Sequence, residues 1–188
     1  LKSQGNFENS FRNEIWKWYY ENGQLKGVGS FKAGKREGIW KWYYENGQLK
    51  SEGILKIFYK GQEYWKSLVS EKHGIWKWYY ENGHTKFEGN FDNNRREGVW
   101  KYYYENGQLS GYGNFKNDIY KEGKWEYYHE SGKLKSKGNY SSNKRDGSWE
   151  YYHDNGQLKA KGNCNSDGKK GKWIWYHKNG QLSSWAYF

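Results

Sequence analysis

One octet, Trp40-Lys41-Trp42-Tyr43-Tyr44-Glu45-Asn46-Gly47, returns with small changes along almost the whole chain. A Trp stands at 16, 40, 76, 100, 125, 149 and 173, and a Gly follows seven places after each one, from Gly23 to Gly180. The steps between these tryptophans are 24 or 25 residues, apart from one of 36. Self-similarity at a fixed period of this size marks an array of one supersecondary unit, in which surface is buried between neighbouring copies.

The apolar content agrees. It consists of 13 Trp, 20 Tyr and 8 Phe, with no Met and no Pro, so large flat rings replace the aliphatic mixture of an ordinary globular core. The formal charge of +11 favours acidic partners such as nucleic acid, anionic lipid or an acidic protein. A single Cys164 excludes an internal disulfide and stands where most repeats place Phe, Tyr or Leu, so it reads as a small buried apolar residue. No apolar run approaches the roughly 20 residues that span a bilayer, and the chain as given reads as soluble. The opening Leu1, Gly5 and Phe7 match Leu25, Gly29 and Phe31, which suggests that an upstream piece has been removed. The sequence leaves the location open: cytoplasmic, or periplasmic or secreted if that piece was a signal. The half repeat would leave an open edge that invites strand addition.

Within the first full repeat, Trp16 to Glu21 is rich in strand-favouring aromatics, and Asn22-Gly23 predicts a two-residue type I′ hairpin turn. That turn sets Glu21 opposite Gln24, Tyr20 opposite Leu25, Tyr19 opposite Lys26, Trp18 opposite Gly27 and Trp16 opposite Gly29. Alternation then puts Trp16, Trp18, Tyr20, Leu25 and Phe31 on one packing face and Lys17, Tyr19, Lys26 and Val28 on the other. A Gly opposite each Trp leaves room for the indole to lie across the strand. A second Gly set two residues before each Trp, such as Gly38 and Gly74, ends the connecting loops, although the first repeat has Glu14 there. Two strands per repeat at about 4.8 Å each give a step of roughly 10 Å and a rod on the order of 70 Å. The expected fold is all-β, an elongated solenoid of about seven antiparallel hairpins in one twisted sheet. It forms a single array over residues 1–188 with a longer hairpin inserted at 54–69.

The pattern Gly-x-Trp-x-x-Tyr-x-x-Asn-Gly-x-Leu-x-x-x-Gly-x-Phe, with loops such as Lys35-Arg36-Glu37-Gly38, resembles the MORN-repeat variant. The resemblance implies successive β-hairpins. It also implies a binding role, since bacterial proteins of this variant are often classed with YwqK-type antitoxins, and MORN repeats generally with protein scaffolding and phospholipid headgroups.

Two columns invite a catalytic or metal reading. His129, His153 and His177 occupy one position in the last repeats, where earlier repeats have Tyr20, Tyr44, Tyr80 and Tyr104. Ligands to one ion must converge on bonds of about 2.0 Å, which a roughly 10 Å repeat does not allow, so these histidines read as packing aromatics. Glu21, Glu45, Glu81, Glu105, Glu130 and Asp154 are spaced too widely for paired-carboxylate chemistry and read as partners of Lys26, Lys50, Lys86, Lys135 and Lys159. No phosphate loop, nucleophile elbow or metal motif is found, so the expectation is a non-enzyme without cofactor or metal.

Two features remain as candidate partner-binding sites. One is the tyrosine column Tyr19, Tyr43, Tyr79, Tyr103, Tyr128, Tyr152 and Tyr176, flanked by Lys17, Lys41, Lys77 and Lys101. It reads either as rings sealing the sheet's second side or as a binding strip. Its flanking charge reverses at Glu126 and Glu150, which a uniform phosphate track would not do. The other is the insertion, in which Lys60-Gly61 would turn between Ile54–Tyr59 and Gln62–Lys66. Leu55, Ile57, Tyr59 and Tyr64 would share one face of it, and Ile54, Phe58 and Trp65 the other. Either it folds over the adjacent repeat or it offers a face to a partner. The best bets for partner contact are Tyr19, Tyr43, Tyr79, Tyr103, Lys41, Lys77, Phe58, Tyr59, Tyr64 and Trp65. The partner is a protein in the manner of an antitoxin, immunity protein or scaffold. The alternative is a polyanion, nucleic acid or anionic lipid, held by the Lys and Tyr columns.

Overall fold

Within each compact unit of this protein, every described strand is an edge-to-edge neighbour of the strand before it. The computed structural model describes residues 2–61 and 67–188, and among these the secondary structure is all β. The strands gather into two compact units, 1–95 and 96–188. In the first, β1 (Ser3–Glu8), β2 (Phe11–Tyr19), β3 (Leu25–Lys32), β4 (Lys35–Tyr43), β5 (Leu49–Lys60), β6 (Ser67–Tyr79) and β7 (Thr85–Asp92) pair antiparallel in chain order. In the second, β8 (Arg95–Tyr103), β9 (Leu109–Lys116), β10 (Tyr120–Tyr128), β11 (Leu134–Ser141), β12 (Lys144–Tyr152), β13 (Leu158–Asn165), β14 (Gly168–Tyr176) and β15 (Leu182–Tyr187) do the same.

The Asn-Gly turns differ from the sequence expectation. At Asn22-Gly23 only the Gly has positive φ, at +87°, and the bonds Gly23 N–H to Tyr20 O (3.0 Å) and Tyr20 N–H to Gln24 O (2.8 Å) close a three-residue loop. This is a type I turn with a left-handed Gly, the G1-bulge hairpin. The Asn22 side chain earns its place by accepting the Gln24 N–H at 2.9 Å. The extra loop residue shifts the register, so Tyr19, not Tyr20, faces Leu25, while Trp18–Gly27 and Trp16–Gly29 pair as expected. The type I′ turns lie at the other ends of the strands. Ala33-Gly34, Asn93-Asn94, Asn117-Asp118 and Ser142-Asn143 have positive φ at both central residues. Asn and Asp tolerate that conformation through local hydrogen bonds, and Ala33 has no such help.

The core is a ladder of indoles on one face. Trp16, Trp40, Trp76, Trp100, Trp125, Trp149 and Trp173 are all nearly fully buried. The indoles cover glycines of the preceding strand: Trp16 lies on Gly5, Trp40 on Gly29, Trp76 on Gly53, Trp125 on Gly113, Trp149 on Gly138 and Trp173 on Gly162. The sequence reading placed Trp16 over Gly29 and Trp100 over Gly113; the covering ring is instead the next one along in each case. Both tryptophans flank the same Gly in the pairing, so register alone does not separate them. A second ring follows each buried one, as with Trp18 at 5.4 Å from Trp40 and Trp42 at 5.7 Å from Trp76. Burying an indole removes about 150–250 Å² from water, worth roughly 4–6 kcal/mol before entropic costs.

Straps tie successive hairpins at their tips. The hydroxyls of Tyr20, Tyr44 and Tyr104 donate to the carbonyls of Tyr43, Tyr79 and Tyr128, each at 2.7 Å. In the later repeats His129 and His153 hold the carbonyls of Tyr152 and Tyr176 through Nε2, at 3.2 and 2.9 Å. A carbonyl can only accept, so that nitrogen carries the proton and keeps no lone pair for a metal. The histidines thus replace Tyr in function as well as in position. The tip lysines differ from expectation: Lys26, Lys50 and Lys86 lie over the rings of Tyr20, Tyr44 and Tyr80 at 5.2–5.3 Å, not beside Glu21, Glu45 and Glu81. Of the expected acidic column, Asp154 does form an ion pair, with Lys178 of the next repeat at 3.0 Å.

Candidate functional site

The sheet in each unit has two unlike faces, and each carries part of the candidate site. On the face opposite the indoles, the residue after the buried Trp is a Lys in the first four repeats, a Glu in the next two and Ile174 in the last, and at Tyr79, Tyr128 and Tyr152 the Tyr two positions further on joins an acid–tyrosine–lysine network. In unit 1, Lys41 pairs with Glu52 at 3.3 Å, Glu52 accepts the Tyr79 hydroxyl at 2.8 Å, and Lys77 pairs with Glu88 at 3.1 Å. In unit 2, Tyr128 donates to Glu126 and Tyr152 to Glu150, each at 2.5 Å, and Glu150 pairs with Lys137 at 2.9 Å. The Tyr79 bond, aided by Lys41, holds Glu52 below the usual carboxylate range. Burial and the neighbouring Glu52 push Tyr79 upward, and burial with Glu126 does the same to Tyr128. The flanking sign change from Lys to Glu is therefore an exchange of partners within one network. Lys41–Glu52 in the first unit becomes Glu150–Lys137 in the second.

Beside this column lies a row that composition concealed. The residue before each buried Trp points away from the indole face, and in unit 1 it is Ile15, Ile39 and Ile75, at 60%, 62% and 63% exposure. Ile54 pairs with Ile39 across β4 and β5 and extends the row. Phe58, half-buried, continues that face with its ring 6.2 Å from His73. Thus Tyr19, Tyr43, Tyr79, Lys41, Lys77 and Phe58 come together on one face of unit 1. Tyr103 holds the same position on β8 in unit 2. Tyr59 lies on the indole side of β5, exposed at 74%. β5 runs through Lys60, which pairs with Ser67, so the ladder extends to the position where the turn was expected to begin, and the expected Gln62–Lys66 strand lies outside the described residues. Tyr64 and Trp65 lie outside the described residues.

The indole face holds the groups the sequence reading missed. A cation sits over each buried Trp from the position four residues earlier: Arg12, Arg36, Lys72, Arg96, Lys121, Arg145 and Lys169, at 4.5–5.8 Å from the ring centres. Between successive indoles a third ring often stands edge-on, such as Phe31 at 5.2 Å from Trp40 or Tyr140 at 5.1 Å from Trp149, whereas Leu55 holds that position between Trp40 and Trp76 and Cys164 between Trp149 and Trp173. Among the described residues, Arg12, Arg36, Lys121, Arg145 and Lys169 have no carboxylate within 4 Å, whereas Arg96 is bonded to Asp118 at 3.0 Å. Burial and the charge of Arg12 both lower the pKa of Arg36. The signal was present in the sequence: an even separation along a strand puts both residues on one face, and the separation of four holds in all seven repeats.

No helix among the described residues is long and apolar enough to cross a membrane. A comparison with curated proteins returned no match. The family model described as MORN repeat variant matches residues 15–33, 36–56, 72–93, 96–117, 121–142, 145–163 and 169–184. Those seven segments cover most of the chain and coincide with the seven hairpins, so the protein belongs to the MORN-repeat variant family, whose repeats serve generally as binding and scaffold modules.

Proposed function

We propose that this protein is a binding protein and not an enzyme, that its partner is another protein, and that it acts in the manner of a scaffold or an antitoxin. The observation that carries this reading is the exposed row Ile15, Ile39, Ile54 and Ile75 beside the tyrosine column of unit 1. Contiguous exposed β-branched side chains next to Tyr form the kind of apolar patch that a protein surface covers. The matching positions in unit 2 run Val99, Lys124, Ser148 and Lys172, so the apolar row distinguishes one stretch of the array from the rest. A partner can read such a difference. The groups that could serve acid–base chemistry on this face are held otherwise. Glu52 and Glu150 are kept ionised by Tyr and Lys partners, and burial beside Glu52 keeps the Tyr79 phenol protonated.

The polyanion alternative draws on the cations of the opposite face. Capture from an extract of the source organism separates the two. Ile39→Lys with Ile75→Lys should abolish capture of a protein partner, and capture by the unaltered chain should persist as salt rises from roughly 50 to 200 mM. Capture that vanishes over that salt range yet survives both substitutions refutes the protein reading and supports the polyanion.

A further inference from the structure

The repeat sets its own standard for the indole face, and one position in unit 2 departs from it. Phe115 stands edge-on between Trp100 and Trp125, at 6.3 and 5.3 Å, and Tyr140 stands edge-on between Trp125 and Trp149, at 6.0 and 5.1 Å. At the next step, between Trp149 and Trp173, the residue is Cys164. It pairs with Gly147 on one side and Lys169 on the other, and it is the successor of Phe115 and Tyr140 in register. The ring is missing, and its place is part of a cleft of about 580 Å³. Tyr151, Trp173 and Trp175 wall the cleft, and Ala160 and Cys164 floor it. Its charges are those of Lys144, Arg145, Lys159 and Lys169, with Asp167 the one carboxylate.

We propose that this cleft is a binding slot for an aromatic side chain in an acidic segment of another protein. The ring would take the place that Phe115 and Tyr140 hold in their own repeats, edge-on to Trp149 and Trp173. Carboxylates flanking it would meet Arg145, Lys169, Lys144 and Lys159. The geometry favours a ring because every neighbouring step between indoles in unit 2 is filled by one, and aromatic pairs prefer this edge-to-face arrangement. It favours an acidic segment because four cations face one carboxylate. Cys164 is itself buried, and Arg145 and Lys169, which line the cleft with it, lie over Trp149 and Trp173, so the incoming ring displaces two long rotatable side chains outward, towards the flanking acids. The proposal uses no residue of the isoleucine row, and each reading can fail while the other stands.

The test is calorimetric titration of the full chain with acetyl-Glu-Glu-Phe-Glu-Glu-amide and with the same peptide carrying Ala for Phe. The Phe peptide should bind at least tenfold more tightly than the Ala peptide. Cys164→Phe should abolish that difference while melting at or above the temperature of the unaltered protein, because the repeat already accepts Phe or Tyr here. Cys164→Ala should retain binding, and Arg145→Gln with Lys169→Gln should weaken both peptides. Equal binding of the two peptides by the unaltered chain overturns the proposal without any variant. So does a folded Cys164→Phe protein that still prefers the Phe peptide. Should Cys164→Phe fail to fold, Cys164→Tyr takes its place in the same comparison, following Tyr140.

Discussion

Replacing Gly113 by Val tests which indole occupies the space above that glycine. A Cβ built at Gly113 falls on Trp125, closer than the 3.0 Å that real Cβ atoms respect, and its three nearest heavy atoms all belong to that ring. Two responses are open. The strands can spread, at an overpacking cost of about 1–3 kcal/mol, or Trp125 can leave its site, where it is 1% exposed, and forfeit roughly 4–6 kcal/mol of burial. The first is cheaper, so the indole stays and the sheet yields. Restricting the unfolded chain returns up to about 1 kcal/mol, which leaves a net loss near 2 kcal/mol. For a chain of this size that lowers the melting temperature by roughly 4–8 °C, read by tryptophan fluorescence and near-ultraviolet circular dichroism. A double-mutant cycle assigns the ring. Trp125→Leu vacates the space that Val needs, so the pair Gly113→Val and Trp125→Leu should be less destabilising than the sum of its parts by about 1 kcal/mol or more, whereas Trp100→Leu should add simply. An unchanged melt for Gly113→Val, or coupling to Trp100 in place of Trp125, refutes the assignment.

Three further outcomes follow from the backbone and the hydrogen bonds. Glu14 has φ +59° where other repeats have Gly, and Ala33 has φ +47° where several have Asn or Ser; Glu14→Gly and Ala33→Asn should each stabilise by about 1 kcal/mol in chemical denaturation. Asn46→Ala loses both the bond from Gln48 N–H at 2.9 Å and the strap to the Glu81 carbonyl at 3.2 Å, and should cost about 1 kcal/mol in the same assay. Glu52 has a lowered folded pKa, so its contribution is present above the unfolded value near 4.3 and is lost as pH falls through the folded one; the stability gap between the unaltered protein and Tyr79→Phe should therefore narrow on acidification. Tyr79 has a raised folded pKa, so the same gap should also narrow as pH rises beyond about 10.

What the sequence makes legible is whatever the period repeats, and what it hides is whatever depends on a single dihedral or on the next repeat. The Trp-to-Gly spacing gives the hairpins, their number and the face of each strand. Asn-Gly misleads because it suits two turns, the type I′ and the type I with a bulge; three loop residues instead of two move Tyr20 out of the ladder, and nothing in the dipeptide separates the cases. The identity of the indole over each Gly is hidden for a different reason. Trp100 and Trp125 both pair with Gly113, and only the lean of the ring decides. The isoleucine row was readable, since Ile15, Ile39 and Ile75 precede Trp by one and must face away from it. It went unread beside the more conspicuous tyrosines. Tyr59 belongs to the unique insertion, and its strand position puts it on the indole side, away from Tyr43 and Tyr79.

The cation column changes what the basic composition means. A charge of +11 taken alone points to acidic partners, but seven of the basic residues, one per repeat, sit over a buried indole. A cation over an aromatic face gains about 0.5–2 kcal/mol, and its stem covers ring edge that would otherwise meet water. Part of the positive charge is thus explained by the fold itself, without a ligand. The acids, meanwhile, are drawn to the other face by Tyr hydroxyls and lysines, as at Glu52, Glu126 and Glu150. A polyanion laid along the indole face of either unit would have to draw three or four side chains off their rings, and its gain at each phosphate would be reduced by the stacking it breaks. A short acidic segment at Cys164 meets a different situation, because there the displaced cations move towards carboxylates while the entering ring restores the edge-on aromatic contact that the repeat lacks.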